Sequence, residues 1–185
     1  MKLLRIVANG FRNCKDDFVI DMIAKSKKTS EDKEYELLEV DEGLYVYSTV
    51  GIVGKNASGK TTTLELMDWC YDILSTFRLS GKQCVYKGIS LDIIFYEKGF
   101  LYKYVTELDN SDTLEDSANF KNQKIYRKKY YKSKIKQARK YDISTFVLLI
   151  VYGYLSTNPY LTLILSSLSI IGSDINQRKN AVPLV

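Results

Sequence analysis

Residues 54–61 read G-K-N-A-S-G-K-T, which satisfies the phosphate-loop pattern G-x-x-x-x-G-K-[ST]. Each fixed position has a chemical task. Gly54 and Gly59 let the backbone curl so that successive N–H groups point at phosphate oxygens, where a Cβ would clash. Lys60 carries a positive charge to the outer phosphates, and the Thr61 hydroxyl is of the type that ligates magnesium. Lys55, Asn56, Ala57 and Ser58 complete the loop, and Thr62 follows on the α-phosphate side. A helix starting at Lys60 would aim its partial positive charge at the same anion. The chemistry implied is binding of Mg-ATP.

Other chemistries are removed by one absence. The 185 residues contain no histidine. Catalytic triads, imidazole zinc sites and a histidine base are therefore excluded. Cys14, Cys70 and Cys84 make no C-x-x-C pair and read as buried thiols of a reducing compartment. Arg5 interrupts the first apolar run after four residues, so no secretory signal is expected and the cytoplasm is the default location.

The elements around the loop suit its task. Leu44 to Val53 (LYVYSTVGIV) has strand composition and ends at Gly54. The spacing predicts an amphipathic helix over 60–78. Leu64, Leu66, Met67, Cys70, Tyr71, Ile73, Leu74 and Phe77 fall on one half of the wheel. Glu65, Asp68, Asp72, Ser75 and Thr76 fall on the other. Arg78 and Gly81 suit its C-terminal end.

Upstream, Lys2 to Ala8, Asn9-Gly10 and Phe18-Val19-Ile20 read as strand, turn, strand. Residues 25–42 form a charged, solvated loop with a short strand through Leu37-Leu38. Downstream, residues 91–108 form a hairpin around Glu97-Lys98-Gly99, followed by an acidic loop from Asp109 to Asp116.

The stretch Y-S-T-V-G-I-V-G-K-N-A-S-G-K-T-T-T-L-E-L, residues 47–66, resembles the Walker A region of ABC/SMC-like ATPases. Its N-A-S-G-K core is typical of the overcoming-lysogeny-defect-like branch of AAA-family ATPases, and Asn9-Gly10-Phe11-Arg12-Asn13 is similar to that branch's opening. The resemblance covers roughly residues 2–108. It implies an α/β P-loop NTPase-like fold, partial, with an antiparallel β-subdomain. It also implies ATP and Mg²⁺ as cofactors, Arg12 and Asn13 near the nucleotide, and head-to-head dimers that in many members act on DNA or in phage defence.

The chain departs from that family downstream. An acidic second motif, four apolar residues followed by Asp-Glu, is missing, and Ile93-Ile94-Phe95-Tyr96-Glu97 lacks the Asp. Leu79-Ser80-Gly81-Lys82-Gln83 imitates the ABC signature but lies only about twenty residues after the loop, where it reads as a helix stop. The N/T-K-x-D motif that reads guanine is also lacking. The expectation is an ATP-binding part over 1–116 without its hydrolytic half, the rest lost by truncation or supplied by a homodimer or second chain.

Charge divides the chain in the same place. Residues 1–116 hold 15 Lys/Arg against 20 Asp/Glu, whereas residues 117–185 hold 12 against two. The second part reads as a basic segment with an apolar tail, and the expectation is a truncated continuation of the same domain. Lys121 to Lys140 contains ten cations, no acid, and Tyr126, Tyr130 and Tyr131. Such a tract suits non-specific nucleic-acid binding, the competing function. The apolar runs 143–155 and 161–171 are too short to span a bilayer and read as core, so no membrane partner is expected.

Overall fold

The computed structural model describes residues 1–25, 28–33, 36–76, 79, 88–110, 118–132 and 147–154. The expected helix stop at Arg78 and Gly81, the signature-like Leu79–Gln83 apart from Leu79, and Cys84 fall outside these residues. So do most of the acidic loop, the second half of the basic tract and the tail beyond Tyr154.

Strand–turn–strand at the start is β1 (Lys2–Asn9) against β2 (Phe18–Asp21), antiparallel, with Ile6 opposite Ile20. Gly10 makes the turn. Its φ is +67°, and a Cβ there would lie 2.3 Å from the Gly88 carbonyl oxygen. Both the left-handed backbone and the close approach require glycine. Gly10→Ala should therefore destabilise the fold by at least ~1 kcal/mol, read as a lowered urea midpoint; an unchanged midpoint would disprove the close approach.

The downstream hairpin forms as its sequence predicts. β5 (Ile89–Glu97) and β6 (Phe100–Asn110) pair in continuous register from Ile89↔Leu108 to Glu97↔Phe100. The two-residue turn, Lys98 at φ 45° and Gly99 at φ 83°, has both residues left-handed. That backbone matches the natural twist of a hairpin. β7 (Ala118–Lys129) and β8 (Val147–Tyr154) extend the sheet, giving the order β2-β1-β5-β6-β7-β8, every neighbour antiparallel. β8 takes in part of the 143–155 run as a strand.

A second, two-stranded sheet pairs β3 (Leu37–Asp41) with β4 (Leu44–Tyr47). It lies over one face of the main sheet, where Leu44 and Val46 pack with Leu4, Ile94, Leu101 and Tyr130. Polar ties hold its tip. The Tyr96 hydroxyl donates to Asp41, and the Tyr130 hydroxyl donates to the Glu42 carbonyl at 3.0 Å.

The helix α1 (Lys60–Thr76) covers the other face. Its buried stripe is Leu66, Trp69, Cys70, Ile73 and Leu74, the i, i+3, i+4, i+7, i+8 spacing of one helix side. Leu66, Cys70, Ile73 and Leu74 lie on the expected face, and the buried side is shifted from it toward Trp69. Leu64 (57% exposed) and Tyr71 point outward, while Trp69 (2%) is the largest fully buried side chain. Among the described residues, no helix is long and apolar enough to cross a membrane.

The expected α/β P-loop NTPase-like fold is corrected by this topology. The described residues are mostly antiparallel β with one helix. A P-loop α/β sheet requires parallel strands joined by crossover helices. Here α1 leads from β4 of the small sheet to β5 of the large one, and β5 pairs antiparallel with β1. The strand expected to reach Val53 stops at Tyr47. Residues 48–53 are irregular, with Val50 62% and Val53 96% exposed. β composition makes a segment able to pair, but a strand also needs a neighbour for its N–H and C=O groups.

Candidate functional site

The residues singled out from the sequence stay together in space because they are contiguous. Gly54, Lys55, Asn56, Ala57, Ser58 and Gly59 form an exposed loop, and Lys60, Thr61 and Thr62 open α1. Two left-handed residues bend the loop, Ala57 at φ 62° and Gly59 at φ 88°. The Ser58 N–H donates to the Lys55 carbonyl at 3.2 Å. A Cβ on Gly54 would lie 2.4 Å from Ser58 Oγ, so the first glycine lets the loop close on itself.

Lys60 closes the ring from inside. Its Nζ donates to the Gly54 carbonyl at 2.8 Å and to the Lys55 carbonyl at 2.7 Å. Two neutral acceptors fix the ammonium without cancelling its charge. The helix begins at once, with the Thr63 N–H and hydroxyl both on the Gly59 carbonyl, at 2.9 and 3.0 Å. No acidic residue occupies the first turn of α1, so nothing there offsets the helix-terminal positive charge. Thr61 is exposed beside it.

Arg12 reaches α1 by packing. Phe11 is fully buried and meets Trp69 edge-on, with ring centroids 4.8 Å apart. That contact carries the 10–14 turn to the helix, where Arg12 Nε lies 3.1 Å from Glu65 Oε2. Glu65 is one helical turn beyond Thr61, so the guanidinium sits close to the loop end of α1. Asn13 is exposed in the same turn. The sequence offered no sign of the Glu65 partner, which had counted only as a polar face residue.

The carboxylates of β5, Asp92 and Glu97, are each engaged in an ion pair. Asp92 is between Leu91 and Ile93, which face α1, so its side chain occupies the opposite sheet face. There it pairs with the buried Lys103 at 2.7 Å. Glu97, at the hairpin end of β5, pairs with the N-terminal amine. Among the described residues no group of three acidic or cysteine side chains is arranged to hold a metal. Of the cysteines expected to be buried, Cys70 is wholly buried, and burial pushes its pKa well up, whereas Cys14 is only partly buried. Cys14 is raised by the same cause.

The described part of the basic tract is β7 and the three residues after it. Lys121 pairs with Asp109, and Lys132 with Glu42. Tyr130 is buried under the small sheet, so it is a core residue and not a stacking platform.

Compared with known proteins, the chain matches no family model, no curated protein and no solved structure. The site must be judged by its own chemistry.

Proposed function

We propose that the chain binds Mg-ATP through residues 54–62. The carrying observation is the Lys60 ammonium held by two carbonyls of its own loop, at the N-terminus of a helix without first-turn acid. A triphosphate brings several negative charges, and this arrangement places a fixed cation and free helix-terminal N–H groups together for it. Gly54 and Gly59 keep the cradle open to phosphate oxygens. In this reading Thr61 supplies a hydroxyl ligand to magnesium, which supplies further charge neutralisation when bound, and Thr62 adds an α-phosphate contact. Arg12 stands near the loop end of α1 with its charge shared with Glu65.

The loop is entered from the irregular residues 48–53 instead of from a strand, so the reading rests on the loop and the start of α1 alone. Titration calorimetry with Mg-ATP, ATP in EDTA and inorganic phosphate tests the reading. Mg-ATP should bind most tightly; equal heats for all three ligands would sink a nucleotide site.

Turnover is a separate matter. Hydrolysis needs a carboxylate to hold magnesium from the far side and a group to orient water. Asp92 is engaged with Lys103, Glu97 with the N-terminal amine and Glu65 with Arg12. Binding without turnover follows, with phosphate release by the purified chain far below ~1 s⁻¹. A robust rate that disappears in Lys60→Ala would refute this and require a carboxylate from another chain copy or an undescribed segment.

A further inference from the structure

The end of the main sheet is rich in cations, two of which, Arg127 and Lys129, stand over aromatic rings. β7 carries Lys121, Lys124, Arg127, Lys128 and Lys129 with no acidic residue. The two halves of the strand differ. Lys121 is paired with Asp109, and the Asn122 amide donates to Glu107, so the first half is internally satisfied. In the second half, Arg127 and Lys129 have aromatic rings where carboxylates would otherwise be. The Arg127 guanidinium carbon lies 4.8 Å from the centroid of Phe100, and Lys129 Nζ lies 5.5 Å from that of Tyr131.

A ring orients a cation and reduces its rotamer freedom without cancelling its charge. Register places both side chains on one face, since Phe100 is opposite Lys129 and Tyr102 opposite Arg127. Their backbones are thus ~7 Å apart along the strand, about one step between phosphates of an extended polynucleotide. A third cation stands beside them. Lys98 is exposed in the β5–β6 turn, which is tied to the strand end by the Tyr130 N–H on the Gly99 carbonyl at 2.9 Å. The nearby Glu97 is occupied by the N-terminal amine.

We propose that Lys98, Arg127 and Lys129 form a binding site for the phosphate backbone of single-stranded nucleic acid. The site has charge and ring edges but no side chain built to read a base, so recognition is indifferent to sequence. An anionic membrane is a poorer fit. Membrane-surface binding needs apolar side chains to insert; of the exposed large apolar residues only Met1 and Tyr131 stand beside these cations, whereas Val19, Leu38, Val53 and Leu64 lie on β2, β3, the phosphate-loop segment and α1. The inference does not rest on nucleotide binding.

The test is fluorescence anisotropy with a labelled oligo-dT across ~50–300 mM salt, on the full chain. Each phosphate contact on a single strand contributes about 0.7 to the slope of log affinity against log salt. The triple variant Lys98→Gln/Arg127→Gln/Lys129→Gln should lose about 2 from that slope and bind at least ~10-fold more weakly at the low-salt end. Lys15→Gln/Lys28→Gln, on distant loops, should leave both values unchanged. The charge-keeping pair Arg127→Lys/Lys129→Arg should retain the slope, which separates loss of charge from loss of fold. An unchanged slope in the triple variant would overturn the proposal. So would binding to phosphatidylserine vesicles by a chain that ignores the oligonucleotide.

Discussion

Lys60→Ala is expected to weaken Mg-ATP binding about ten- to a hundred-fold. The side chain contributes the one charge of the loop that is fixed at the ring's centre, on the Gly54 and Lys55 carbonyls. Charge-assisted hydrogen bonds are worth about 1.5–3 kcal/mol, which converts to that range of affinity. A second loss acts in the same direction. Without the ammonium the two carbonyls turn to solvent, and the curled loop has only Ser58 N–H on Lys55 to hold it. Ordering the loop then falls to the ligand. The fold itself should be unaffected, because Lys60 lies outside the core formed by Leu66, Trp69 and Ile73. Calorimetry on parent and variant, with matching thermal melts, decides the matter. Equal affinities would mean that phosphate binds elsewhere.

The largest stability effect should come from Trp69→Ala. Trp69 fills the space between α1 and the main sheet, and its ring is the surface on which Phe11 stands edge-on. Truncating a large buried aromatic costs about 3–5 kcal/mol, from lost burial and the cavity left behind. Native proteins have only ~5–15 kcal/mol in total, so a steep drop in the urea midpoint or outright unfolding is expected. Leu64→Ala, on the outward side of the same helix, should change stability by no more than about 0.5 kcal/mol. The pair of variants is a direct measure of which side of α1 faces the sheet. Comparable losses at the two positions would show that the helix is rotated from the orientation described.

Trp69 and Leu64 also mark where sequence reasoning reached its limit. Periodicity placed a helix over this stretch, and α1 runs Lys60–Thr76. It placed four of the five buried residues, Leu66, Cys70, Ile73 and Leu74, and missed Trp69. Apolar residues span more than half of the wheel, so more than one stripe satisfied a helical period. Only contact with β1, β5 and β6 selected the one through Leu66, Trp69 and Ile73.

By itself the sequence determined those features whose physics closes within a few residues. The Lys98-Gly99 turn was legible because a two-residue hairpin needs left-handed backbone. The β1 turn at Asn9-Gly10, the helix and the phosphate-loop pattern were legible for similar local reasons. Tertiary structure alone decided what depends on distant partners. It set the sheet order and paired β5 with β1 across some eighty residues. It left 48–53 without a strand neighbour among the described residues despite strand composition. It moved Asp92 to the face away from α1, and gave Arg12 to Glu65 and Tyr130 to the core. The reason is the same each time. Backbone propensity is carried by a residue and its immediate neighbours, whereas strand pairing, burial and ion pairing are satisfied only by whatever the folded chain brings alongside.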